Sequence, residues 1–172
     1  MSADALHREA VHFATCDSRQ ARLMRATSAR PARIHVEEVD ALASRWRDFH
    51  EHGRPLMLGR GPSANAAQHF ADEHREVEEI AERFARDAVD WLDARARAHG
   101  DAPLAVFAEG RFLGHLRAAA AATRARVVFV HGNLAPLQAS ELASHRLIED
   151  LAHARLTVAA RASGAEGEED HR

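Results

Sequence analysis

The sequence predicts an α/β domain built on a mixed sheet. Three observations predict it. Apolar residues alternate at period two in three short stretches before residue 38. They then recur at helical spacing from Val77 to Leu92. Finally, two short apolar runs, Pro103 to Ala108 and Val127 to Val130, flank another helical stretch.

The elements follow in order. Val11-His12-Phe13-Ala14 reads as a half-buried strand with Val11 and Phe13 on one face. Asp17-Ser18-Arg19-Gln20 reads as a turn, with Asp17 bonding the backbone beyond it. Ala21 to Arg25 is the return strand, and Arg33 to Glu37 is a third strand at the same period. Short connections make these an antiparallel meander whose polar face is solvated. Residues 40–68 lack sustained periodicity and hold Gly53, Pro55, Gly59, Gly61 and Pro62, with one helical turn expected near Val39 to Trp46. A connection this long tends to be functional or disordered.

Val77, Ile80, Phe84, Ala88, Trp91 and Leu92 then form the apolar stripe of a long helix that Gly100 ends. A buried strand, a helix over Arg111 to Thr123 and a second buried strand follow. One further helix from Ser140 carries Leu142, Leu147, Ile148 and Leu151. Antiparallel strands first and parallel ones later, joined by crossovers, give a five-stranded sheet compatible with a ribonuclease-H-like layered fold. The expected domain runs over residues 9–161 and contains the basic Gly/Pro loop at 45–68. It lies between a disordered stretch at 1–8 and an acidic disordered tail at 162–172.

Composition narrows the chemistry. Of 172 residues 46% are apolar, but 38 are alanine, so the core is thin and relies on close helix packing. All 23 basic residues are arginine and tyrosine is absent, which GC-rich coding explains most simply. Lysine phosphate loops, Schiff bases and tyrosine-based dehydrogenase chemistry are thereby excluded. A net charge of −3 confines any nucleic-acid contact to a local patch. The single cysteine, Cys16, rules out an internal disulfide or a multi-cysteine zinc site, and is expected to be buried and inert. With neither an apolar signal core nor a membrane span, a cytoplasmic location is expected.

The local patch is at 45–60. Arg45, Arg47, Arg54 and Arg60 face only Asp48 and Glu51, with Trp46 and Phe49 interleaved and Gly59 and Gly61 around Arg60. Arginines with aromatics can hold phosphates and stack bases; the competing reading is a solvated loop whose aromatics dock on the core. No cofactor or metal is expected. His50 and His52 alternate, and His74 and Glu78 share a helix face as two ligands, but no compact trio exists. Asp17, Asp101 and Glu109 fall short of a two-metal nuclease set. Glu109-Gly110-Arg111 reads as a tight strand-to-helix turn.

Several segments carry a resemblance. They are Ala14-Thr15-Cys16-Asp17-Ser18-Arg19-Gln20-Ala21-Arg22-Leu23, Glu82-Arg83-Phe84-Ala85, Ala108-Glu109-Gly110-Arg111-Phe112-Leu113-Gly114-His115-Leu116-Arg117 and Asn133 to Leu142. With the Gly59-Arg60-Gly61 loop they resemble the central domain of archaeal and eukaryotic peptide-chain release factors. The chain is more similar still to small bacterial relatives often labelled host attachment proteins. The resemblance implies a release-factor-like scaffold. Release factors present a Gly-Gly-Gln tripeptide that positions water at the peptidyl-tRNA ester. Here Gly61 is followed by Pro62 and Ser63, and proline removes a backbone donor and fixes φ. Gln68 reaches the matching place only by shifting the alignment. The expectation is therefore a non-catalytic binding protein contacting ribosome or structured RNA through Arg45, Trp46, Arg47, Phe49, Arg54, Gly59, Arg60 and Gly61. The alternatives are a host-attachment or protein-interaction module, and a hydrolase of an ester or phosphodiester using Gln68 or the Asp17/Glu109 pair.

Overall fold

A computed structural model describes residues 10–29, 33–45, 64–99 and 103–154. Strands β1 (Ala10–Cys16), β2 (Gln20–Ala29) and β3 (Arg33–Ala43) form the meander. Helix α1 (Ala64–Ala98), strand β4 (Leu104–Ala108), helix α2 (Gly110–Thr123) and strand β5 (Val127–His131) follow. Two short helices, α3 (Ala139–Leu142) and α4 (146–154), complete the described chain.

The five strands form one mixed sheet in the order β3-β2-β1-β4-β5. β1 pairs antiparallel with β2 and parallel with β4, and β5 is parallel to β4. The meander thus adds strands to one side of β1 and the crossovers add them to the other. The register sets Cys16 opposite Ala21 and Ala108, and Ala43 opposite Gln20. One edge of the sheet therefore carries the carboxyl ends of β1, β3, β4 and β5.

Strand alternation splits the core into two layers. Ala14, Cys16, Leu23, Leu104 and Val106 face α1 and α2, where Phe84, Ala88, Leu92, Leu113 and Leu116 are buried. The alanines at 81, 85, 88 and 96 let α1 lie close to the sheet. Phe13, Met24, Ala26, Val36 and Phe107 face the other way, beneath Leu134, Leu142 and Ile148. Phe13 and Phe107 meet edge to face with centroids 6.0 Å apart.

Neither face is solvated as expected: α1 and α2 cover the Ala14 face, and the chain after β5 folds back over the Phe13 face. Arg22 holds that return in place. Its NH1 donates to the Ala135 and Leu137 carbonyls at 3.0 and 2.9 Å, and its Nε donates to Glu38 Oε2 at 2.7 Å.

Other boundaries differ as well. β3 runs on to Ala43, so the helical turn expected near Val39 to Trp46 is replaced by strand up to that residue. Cross-strand pairing with β2 extends it, with an irregularity where Leu23 faces Asp40 and Met24 faces Glu38. α1 begins at Ala64, so residues 64–68 of the expected loop are helical and Gln68 lies within a helix. β5 is an edge strand with Val128 exposed rather than a buried one. The single helix expected from Ser140 is divided at 143–145. Gly100, Asp101 and the expected termini at 1–8 and 162–172 lie outside the described residues.

Candidate functional site

The expected basic loop leaves the sheet at its carboxyl edge, where ligands of open α/β sheets gather. Ser44 is buried there and donates its N–H to the Arg19 carbonyl at 2.7 Å, fixing the end of β3 against the β1–β2 turn. That turn is the one the sequence predicts: Asp17 Oδ1 accepts from the Arg19 and Gln20 N–H groups at 2.7 and 2.9 Å. One Asp17 oxygen is thus committed to the turn, although strand register sets Asp17 and Glu109 at neighbouring strand ends.

Arg45 follows, and it is the one expected contact residue within the described chain. Trp46, Arg47, Phe49, Arg54, Gly59, Arg60 and Gly61 lie outside the described residues, as do Pro62 and Ser63. The Arg45 side chain is 84% exposed, and NH2 stands 3.9 Å from Asp87 Oδ2. At that distance and exposure the pair is weak and screened, which leaves the guanidinium open to another anion. Beneath it, Leu42, Ala43, Phe84, Asp87, Asp90 and Trp91 line a shallow cleft of about 260 Å³.

β3 is tied to α1 just below this cleft. Arg95 Nε donates to Asp40 Oδ2 at 2.8 Å, and the Arg95 guanidinium lies 5.1 Å from the Trp91 ring centroid. This hydrogen bond holds the Asp40 carboxyl below the usual carboxylate range.

On the far side of the edge, β4 turns directly into α2. Gly110 takes φ +58°, a left-handed conformation that glycine adopts without a Cβ penalty, so the Glu109-Gly110-Arg111 turn is tight as expected. α2 then presents Arg111 and His115, one helical turn apart, to α1. Arg111 NH1 donates to Glu78 Oε2 at 3.1 Å, and His115 Nε2 lies 3.2 Å from Glu78 Oε1. Sequence reading paired Glu78 with His74 alone; the partners from α2 are 33 and 37 positions away, beyond any local spacing signal. From Glu78, α1 runs back to Ala64, about 21 Å at 1.5 Å per residue. The segment 46–63 therefore connects the sheet edge to the far end of an extended helix.

Cys16 is buried in the α1 layer, as expected, and burial pushes its thiol pKa up. Among the described residues no three metal-ligating side chains converge. No helix among them is long and apolar enough to cross a membrane. A larger cleft of about 520 Å³ lies away from this edge, between Arg33 to Val36 of β3 and the α3–α4 segment.

The model of the bacterial archaeo-eukaryotic release factor family 12 matches residues 13–156. No curated protein matches the chain.

Proposed function

Because the chain belongs to the bacterial archaeo-eukaryotic release factor family 12, we propose that it is a translation-associated binding domain that contacts ribosome or structured RNA without hydrolysing peptidyl-tRNA. The observation that carries this reading is the family match, which runs from residue 13 to 156 through a segment where Gly61 precedes Pro62 and Ser63 instead of completing a Gly-Gly-Gln. The strand order supports the ribonuclease-H-like arrangement, and the extent of the match supports one domain over 9–161. The domain acts in the cytoplasm.

In this reading Arg45, Arg47, Arg54 and Arg60 neutralise phosphates, Trp46 and Phe49 stack on bases, and Gly59 and Gly61 let the backbone approach. The open guanidinium of Arg45 at the carboxyl edge supports it. Asp87 and Asp90 line the cleft beside Arg45, and their charge disfavours phosphate within it.

The test is binding to ribosomes and to a structured RNA over a salt series. Each phosphate contact adds roughly 0.7–0.9 to the slope of log affinity against log salt. Replacing the four arginines together by alanine flattens that slope by about 3 if all four contact phosphate. A slope that ignores the quadruple variant removes the RNA reading, and enzyme-like release from peptidyl-tRNA removes the non-catalytic one. Sedimentation of the protein apart from ribosomes, with a protein partner instead, favours the host-attachment or protein-interaction alternative.

A further inference from the structure

We propose that the outer edge of β3 is where two copies of this chain pair, antiparallel and centred on His35, continuing the sheet across a twofold axis. β3 ends the sheet, and among the described residues no strand lies beyond it. Its first half is open: Arg33, Ile34, His35 and Val36 all line the cleft of about 520 Å³. Successive strand residues point to opposite faces, so four in a row border one cleft only along the backbone edge they share. An edge with unpaired N–H and C=O groups is a template for another strand. Across the cleft, α3 and the turn after it present Ala139, Ser140, Ala143 and Ser144, small side chains that leave room for an incoming chain.

This edge is complementary to itself. Facing residues of two such strands lie on the same side of the sheet, so odd positions meet odd ones and even meet even. The irregularity at Val39 ends regular pairing and confines the contact to residues 33–38. With His35 opposite its own copy, Arg33 faces Glu37 and Ile34 faces Val36. Opposite charges then meet twice on one side of the sheet. On the other side, the Ile34 and Val36 row continues the core layer beneath α3 and α4. Glu37 already pairs with Arg25, its neighbour on β2, so Arg33 of the partner subunit completes a row of alternating charge. The register centred on Val36 gains His35 opposite Glu37, but sets Ile34 against Glu38 and Arg33 against Val39. The opposite edge, β5, reads Val127-Val128-Phe129-Val130-His131 and offers no such charge match. The proposal stands apart from the RNA reading, because its readout involves no nucleic acid.

A short strand pairing buries little area, so the dimer is weak, and sedimentation velocity of the full chain from about 5 to 500 µM spans the expected range. A monomer–dimer equilibrium is expected. Arg33→Glu alone, or Glu37→Arg alone, sets like charges opposite each other twice and weakens the dimer by about tenfold or more. Mixing the two variants restores it, because both contacts of the mixed dimer again join opposite charges. Val128→Arg on the other edge changes nothing. Arg33→Glu decides the matter if Glu37→Arg fails to fold for want of its bond to Arg25. Hydrogen exchange over residues 33–37 slows as concentration rises. A monomer at every concentration overturns the pairing, as does a dimer indifferent to Arg33→Glu or a mixture no stronger than its separate variants. Exchange already slow throughout 33–37 in dilute protein means that another part of the chain covers the edge, which overturns it too.

Discussion

Replacing Arg22 by methionine tests whether the second core layer depends on one guanidinium. Methionine keeps much of the length and apolar stem and removes every donor. The Ala135 carbonyl loses its bond in a buried setting, where an unpaired acceptor costs ~1–3 kcal/mol. The Leu137 carbonyl is only partly buried, so water recovers much of that loss. The Glu38 carboxylate is 46% exposed, and its pair contributes ~0–1 kcal/mol. These add to about 3 kcal/mol, or roughly 6–12 °C in Tm for a domain of this size. Thermal and urea melts followed by far-UV circular dichroism measure it. Hydrogen exchange checks the location, since protection falls first over residues 134–142 if Arg22 fastens that return. A loss below ~1 kcal/mol, or exchange that rises uniformly over the fold, refutes the argument. Arg22→Lys falls between, because an ammonium reaches one carbonyl and lacks the planar fork.

Two other predictions are independent of this one. His12 stacks on His99 at a centroid distance of 4.1 Å, and burial, then His99 and Arg25, lowers its pKa from 6.5. Below pH 6.5 the unfolded chain therefore binds this proton before the folded one does, so His12's contribution is complete above pH 6.5 and is lost as pH falls. Urea midpoints measured from pH 7.5 down to 5 should drop less steeply in His12→Phe, which keeps a ring in the stack; parallel curves would disprove the assignment. Cys16 is buried with a raised pKa, so a thiol reagent at pH 8 should leave it unmodified in the native protein and modify it fully in denaturant. Rapid native labelling would contradict its placement.

The sequence makes visible what depends on local periodicity. The period-two stretches, the α1 stripe from Ile80 to Leu92 and the run Leu104–Ala108 each announce an element whose burial pattern the structure repeats. Its silence begins where a distant segment decides. Arg22 reads as a solvent-facing charge in a strand, because the carbonyls that bury it come from residues 135 and 137. β5 reads as buried because it is rich in valine and phenylalanine, but its place at the sheet edge leaves Val128 in the open. The break at 143–145 carries no proline or glycine to mark it. At the candidate site, the basic loop is legible as composition and Arg45 as an exposed cation. The meeting of Glu78 with Arg111 and His115 becomes visible only once the crossover lays α2 beside α1.

The irregular register in β3 reaches further than its size suggests. With Asp40 opposite Leu23 and Glu38 opposite Met24, Val39 is a supernumerary residue with no facing partner. Even-numbered positions before it, Ile34 and Val36, look toward the carboxy-terminal helices, while Leu42 beyond it looks toward α1. One strand is thereby shared between two opposite layers, its first half serving one and its second half the other. Changing the Val39 side chain alters an exposed surface. Excising the residue would leave a regular ladder in which Asp40 still faces Leu23 and Leu42 still looks toward α1, so the extra residue sets the local bend and twist at the root of the basic segment.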